Sequence, residues 1–370
     1  MDSTTRATRI EALRRGMRDA GIDLVALAPS DNFRYLVGFS PVADERACML
    51  FVTSAAALVL MPTLNAEQAV AEAPELELVR WADDAGPAAA LKEALAQARG
   101  GNVRRAGADP EMRGDHLLLL QGAIPDAAFV TASVVVGPLR EVKSDDELSA
   151  LQVAARTGDE AVRAAFAACR PGATELEVGE AAAAAFRAGG SEEVLMTIIG
   201  SGPNGAFPHH HTGSRALAAG DPVVIDLVAR RGGYASDITR MAFIGTPTER
   251  YLEVHGVVEA AVQAGLAAAR PGATCDDVDA AARGVIADAG FGKWFVHRTG
   301  HGLGLSVHES PWIMRGEEVA LQQGMVHSIE PGIYLPGEFG VRLEEIVHVT
   351  AEGCERLSGL SRELHVVAQD

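Results

Sequence analysis

Asp226 and Asp237 sit inside apolar, β-branched runs, where a carboxylate needs a reason to be. The runs cover residues 222–228 and 234–243 and flank Arg231-Gly232-Gly233, so the spacing predicts a β-hairpin. With Arg231 and Gly232 as the tip, residues whose numbers sum to 463 face each other, and Asp226 then faces Asp237. Directly opposed Cβ atoms lie only about 4.5–5.5 Å apart. Two carboxylates that close repel, and burying them is costly unless a cation lies between them. Either aspartate alone reads as a strand end or a turn cap. The pair reads as a metal site.

A second pair follows the same plan. Residues 325–330 and 341–350 read as strands joined by residues 331–340, and Glu330 and Glu344 take the places of the two aspartates. His301 adds a nitrogen ligand, and Gly300 and Gly302 beside it let a backbone approach closely. Four carboxylates and one imidazole are too many for a single zinc. They suit two hard divalent ions, manganese ahead of cobalt or zinc, about 3.5–4 Å apart and sharing carboxylates. Four negative ligands balance two divalent cations. His209, in a loop after Pro208, and His308, in Val307-His308-Glu309, are expected to flank the site and donate to a substrate carbonyl or an intermediate. His297 is a further candidate. His210 and His211 read as solvated, and His327 and His348 as structural residues of strands.

An internal repeat must position these groups. Arg170-Pro171-Gly172-Ala173-Thr174 recurs as Arg270-Pro271-Gly272-Ala273-Thr274. Each copy follows an Ala-rich helix, and each Thr opens another helix with an acid three residues on, Glu177 or Asp277. Gly200-Ser201-Gly202 matches Gly300-His301-Gly302. Gly220 leads Asp226 as Gly324 leads Glu330, and Gly233 leads Asp237 as Gly340 leads Glu344. The repeat predicts two halves of one domain, each a helix pair and a strand hairpin, related by a pseudo-twofold axis through the site.

Ahead of this lies a different pattern. Helices are expected near 4–20, 65–73, 87–99 and 111–121, and strands near 23–28, 48–53, 57–61, 76–81, 103–107 and 128–136, an alternating α/β domain without a catalytic constellation. Its His116 reads as a surface or cap residue. Gly137-Pro138 is expected to end the last strand, and Ser144 to Glu147 forms a capping box that starts a long helix to about Cys169. The expected domains are therefore 1–139 and 140–370.

At 370 residues the chain is long enough for two sizeable cores. Its net charge of -18 argues against nucleic acid or an anionic membrane as partner. Four scattered cysteines, no signal-like apolar segment at the N-terminus and no apolar run of membrane-spanning length point to a soluble cytoplasmic protein.

Several motifs together resemble a known family. Pro208-His209, Ile225-Asp226-Leu227, Tyr234-Ala235-Ser236-Asp237-Ile238-Thr239-Arg240, His297-Arg298-Thr299-Gly300-His301-Gly302-Leu303-Gly304, Ile329-Glu330-Pro331-Gly332 and Arg342-Leu343-Glu344 look like the motif set of the pita-bread metallopeptidases. Within these the chain is most similar to the aminopeptidase P and prolidase branch. The resemblance extends over essentially the whole chain, with Tyr35-Leu36-Val37-Gly38-Phe39 where a creatinase-type N-terminal domain has such a segment. It implies a creatinase-type α/β domain followed by a pita-bread catalytic domain. It implies Asp226, Asp237, His301, Glu330 and Glu344 as metal ligands, with Asp237 and Glu344 bridging and Glu330 also acting as general base. His209 and His308 would hold the scissile carbonyl and the tetrahedral intermediate, His297 would line the pocket, and Arg342 and Tyr334 would orient the ligand carboxylates. The substrate would be a peptide with proline at its second position, cut before the proline, and the protein a homodimer.

Two departures stand out. Val228 replaces the glycine usual after Asp226-Leu227, and on an alternating strand it is expected to narrow the pocket. Trp312 stands where several prolidases carry an arginine for a dipeptide's carboxylate, which tilts the expectation toward longer peptides. Trp312 by itself reads as core packing. Two alternatives share the fold: hydrolysis of a non-peptide C–N bond, and a catalytically inactive binding protein. The latter is disfavoured by the intact five ligands.

Overall fold

The computed structural model describes residues 1–98 and 102–368. Their contacts divide the chain into two units, Met1–Arg140 and Glu141–Asp370. No helix among the described residues is long and apolar enough to cross a membrane.

The first unit is built on a six-stranded mixed sheet in the order Glu77–Trp81, Ala57–Pro62, Met49–Thr53, Leu24–Leu27, Arg105–Ala108, Ala128–Thr131. Its central strands are apolar throughout and buried, with residues such as Leu24, Phe51 and Leu60 packed under the helix Ala88–Gln97. The expected end of that helix, residue 99, lies outside the described residues. Two expectations are corrected here. The last strand stops at Thr131, and Ser133–Glu141 is a helix that includes Pro138. Both Val135 and Val136 donate backbone N–H groups to the Ala132 carbonyl, and Val134 alone of the three valines is exposed, which is helical and not alternating burial. His116 is buried rather than superficial, because the helix Gly114–Ala123 turns it inward with Leu120, and its Nε2 lies 3.2 Å from the Glu45 carbonyl.

The second unit repeats itself as the sequence implies. Ser144 caps Asp145–Ala168, and Thr174 and Thr274 cap Glu175–Ala188 and Cys275–Asp288, all three in full capping boxes. Each such box is worth on the order of 1 kcal/mol. Beside the two repeated caps, Gly172 N–H donates to the Leu217 carbonyl and Gly272 N–H to the Leu321 carbonyl, at 2.8 and 2.9 Å. The same backbone joint is therefore built twice.

Each half carries its own antiparallel ladder. In the first, Glu193–Ser201, Pro222–Arg231 and Tyr234–Ile244 lie side by side. In the second, Gly300–Gly302 and Glu345–Val349 flank Val326–Ile329. The first hairpin shows how alternation aims the site. Val223, Ile225 and Leu227 face the helices of their own half, together with Ile238, Ala242 and Ile244. Val224, Met241 and Phe243 point the other way, into the core of the second half. Asp226 and Asp237 share that inward face.

The register differs from expectation by two. Asp226 pairs with Thr239 and Val228 with Asp237, so paired numbers sum to 465 and the aspartates are diagonal neighbours. The turn explains it. Arg231 pairs with Tyr234 across a two-residue loop, Gly232-Gly233, with φ of 61° and 82°, the doubly left-handed turn that suits a twisted hairpin. The second hairpin is also interrupted. Residues 331–340 are no simple connection, because Gly332–Leu335 and Phe339–Arg342 form a short ladder of their own. Glu330 and Glu344 sit at the break between the two ladders, where strand pairing lapses and side chains can turn inward.

Candidate metal centre and its cavity

The second unit holds a cavity of about 730 Å³ lined by all eight candidate residues from the sequence, His209, Asp226, Asp237, His297, His301, His308, Glu330 and Glu344. Three overlapping groups each bring potential ligand atoms within 4.8 Å of one another: Asp226, Asp237 and Glu344; His301, Glu330 and Glu344; and Asp237, His301 and His308. His301 Nε2 lies 3.1 Å from Glu330 Oε1 and 3.8 Å from Asp237 Oδ2. Gly300 and Gly302 permit this placement, since a Cβ on either would overlap the backbone of Ser328 or Ser310. Val228 is fully buried opposite Asp237 and is not among the residues lining the cavity.

Electrostatics tests whether cations fit. Burial, then the charges of Glu344 and Asp226, push Asp237 well above the usual carboxylate range. Burial, then Glu330 and Asp226, does the same to Glu344. Burial also raises Asp226, against the attraction of Arg342. Its Oδ1 is buried without a hydrogen-bond partner. Burial opposes ionisation of Glu330 too, but the hydrogen bond and charge of His301 outweigh it and hold that carboxyl low. His301 donates Nδ1–H to the Gly302 carbonyl at 3.0 Å, which turns Nε2 toward the carboxylates, where it donates to Glu330 Oε1 and, once deprotonated, would offer its lone pair to a cation. Mutually repelling oxygens, one of them orphaned, around an imidazole nitrogen make a donor set for hard divalent cations.

A hydrogen-bonded frame holds the donors. Arg342 pairs with Asp226, donates to the Tyr334 hydroxyl at 2.7 Å and to Thr239 at 3.2 Å. Thr239 in turn donates to Glu344 Oε2 at 2.8 Å. The Tyr334 hydroxyl, already accepting from Arg342, lies 2.9 Å from His297 Nε2, and His297 Nδ1 lies 2.7 Å from the Arg298 carbonyl. Only one tautomer satisfies both contacts: His297 donates from Nδ1 and accepts the Tyr334 proton at Nε2. Burial pushes that imidazole below its ordinary range, against the charge of Glu330. Both His297 nitrogens are thus engaged within the wall.

One set of residues was not visible in sequence. His210, expected in solvent, is partly buried, with Nε2 2.8 Å from Glu175 Oε2. Glu175 is fully buried and also accepts from Ser201 N–H and Oγ–H, Asn204 Nδ2–H and Gly213 N–H. This carboxylate pins both ends of the loop that carries His209. Its position directly after the Thr174 cap makes it look like an ordinary helix-start acid, so only the tertiary fold reveals the role. Glu175→Gln replaces an acceptor by a donor among these donors. The expected loss is about 2–4 kcal/mol of stability, read by thermal unfolding, with a fall in activity as the His209 loop loosens.

The fold and the site define a metal-dependent hydrolase with a duplicated catalytic half. Residues 149–351 match the model of metallopeptidase family M24, and residues 9–142 match the creatinase/prolidase N-terminal domain. The chain belongs to metallopeptidase family M24, and its second unit is the pita-bread fold of that family. It is 38% identical to the probable dipeptidase PepE of Mycobacterium tuberculosis, over 99% of this chain and 98% of that one. It is 33% identical to the Xaa-Pro dipeptidase of Lactobacillus delbrueckii subsp. lactis, over 97% and 98%. The crystal structure of dipeptidase PepE from Mycobacterium ulcerans superimposes with a TM-score of 0.93 at 36% identity, covering all of both chains.

Proposed function

We propose that this metallopeptidase hydrolyses the Xaa-Pro bond at the N-terminus of short peptides, as a cytoplasmic homodimer. The reading rests on one observation above all: four carboxylates, buried or nearly so, and His301 meet in a single cavity, in a chain whose relatives include named Xaa-Pro dipeptidases. Asp226, Asp237, His301, Glu330 and Glu344 would hold two divalent ions, manganese by preference. Once bound, these ions supply the Lewis acidity that activates water and polarises a carbonyl.

The side chains supply the rest. Glu330 Oε1 is occupied by Ser328 and His301, which leaves Oε2 to take the proton of the attacking water. The same carboxyl returns it to the proline nitrogen, which carries no hydrogen of its own, as the C–N bond breaks. His308 and His209 donate to the carbonyl oxygen as it gains charge. Burial and the neighbouring His301 and Arg298 push the His308 imidazole down to about 4, so it donates as a neutral ring. His297 acts through Tyr334, as a positioning residue. The catalytic region comprises residues 140–370, and residues 1–139 form the creatinase-type domain.

The test is hydrolysis of Ala-Pro and Ala-Pro-Ala with manganese and with chelator. Manganese-dependent release of alanine is expected. Protein with two metals bound and no cleavage of either peptide would sink the reading. A single-chain mass by light scattering would remove the dimer, and recovery outside the cytoplasmic fraction would remove the assigned compartment.

A further inference from the structure

Among the arginines of the second unit's interior, Arg298 stands apart. Arg240, Arg342 and Arg362 all spend their guanidinium groups on carboxylates. Arg298 lines the cavity, half-buried, and its guanidinium makes no hydrogen bond or ion pair with any described residue. It lies flat against one neighbour, with Cζ 4.4 Å from the centre of the Trp312 ring. Trp312 is the ladder partner of His301, and directly paired residues project from the same face of a sheet. So the indole rises beside the His301 imidazole, behind Arg298. It is not itself a lining residue. A cation stacked on an aromatic face keeps its in-plane N–H donors free, and a planar fork of donors matches a carboxylate. The same cavity also has apolar lining, with exposed Phe207, Val296 and Met314.

We propose that Arg298, braced by Trp312, binds the free C-terminal carboxylate of an Xaa-Pro dipeptide, and that this contact makes the enzyme prefer dipeptides to longer peptides. The inference rests on the Xaa-Pro reading above and deepens it. The carboxylate of Xaa-Pro lies two bonds beyond the scissile nitrogen, so its partner must stand in the same cavity as the carboxylate cluster. The apolar residues of the cavity lining accommodate the pyrrolidine ring. A third residue would convert that carboxylate to an amide and leave Arg298 facing a group with no charge. The preference for longer peptides expected from Trp312 is thereby reversed: the position holds no cation itself, but it holds one in place.

The experiment compares the manganese holoenzyme with Arg298→Ala, Arg298→Lys and Trp312→Leu on Ala-Pro, Ala-prolinamide and Ala-Pro-Ala. Metal content is checked in each variant. For Arg298→Ala, KM for Ala-Pro is expected to rise about 10–100-fold while kcat/KM for Ala-prolinamide stays within about twofold. Arg298→Lys should recover part of the loss, lacking the fork. Trp312→Leu should show a smaller rise on Ala-Pro alone. Calorimetry gives a readout without turnover: free L-proline should bind wild type more tightly than L-prolinamide does, and Arg298→Ala should erase that difference. An equal loss on Ala-Pro and Ala-prolinamide would make Arg298 merely structural. Unchanged KM for Ala-Pro would overturn the anchor while leaving the Xaa-Pro activity standing. Failure of wild type to cleave any of the three would defeat the Xaa-Pro reading and the anchor with it.

Discussion

Glu344→Gln will abolish activity and, at the same time, make the metal-free protein harder to unfold. The first effect follows from losing a ligand that lies within reach of both donor groups, the one around Asp226 and Asp237 and the one around His301 and Glu330. Several kcal/mol of transition-state stabilisation depend on the cations, so the fall in kcat is on the order of 10³-fold or more. Metal analysis should show fewer than two ions per chain. The second effect follows from burial of Glu344 and its repulsion with Asp226 and Glu330, which Arg342 and the Thr239 hydrogen bond offset only in part when the cations are absent. Removing one charge relieves it. Thermal unfolding with chelator should therefore rank Glu344→Gln above wild type, and unfolding with excess manganese should reverse the order. The same order in both conditions would mean that the cluster does not bind the ions.

Arg342→Leu is expected to cost about 3–5 kcal/mol of stability and to lower activity by about 10–100-fold or more. Arg342 is 3% exposed and serves three elements at once: Asp226 on the first hairpin, Thr239 across the ladder and Tyr334 on the inserted ladder. Without it, Asp226 loses its one charged partner, and Tyr334 loses the donor that fixes its proton on His297. Arg342→Lys should rescue little, because one ammonium cannot reach three acceptors set out in a plane. Thermal unfolding and a manganese titration followed by activity would measure the two losses separately. Wild-type stability in Arg342→Leu would show that the ion pair is dispensable.

The cluster of carboxylates was legible in sequence because its side chains violate their surroundings. Asp226 and Asp237 interrupt β-branched runs, and the repeat then identifies Glu330 and Glu344 as their counterparts. The class of fold followed from the same repeat. The register was not legible, because Arg231-Gly232-Gly233 allows more than one tip and only the φ values choose between them. Residues 133–136 misled because three successive valines favour a strand locally, whereas burial follows a helical period. Glu175 and Arg298 were hidden for a different reason. What distinguishes them is how many hydrogen-bond partners their side chains have among the described residues, five donors for one and none for the other, and that number exists only once distant segments meet.

The two halves do not make equal contributions. Gly300–Gly302 borders the second ladder as Glu193–Ser201 borders the first, yet where the second half presents His301, the first presents Ser201, tied down by Glu175. A perfectly duplicated site would offer an incoming chain two opposite directions of travel, related by half a turn and equal in energy. Half of all encounters would then bring the wrong end of the peptide to the reacting centre. Trading one imidazole for a sealed serine removes that degeneracy. The site acquires a head and a tail, and with them a reading direction along the peptide.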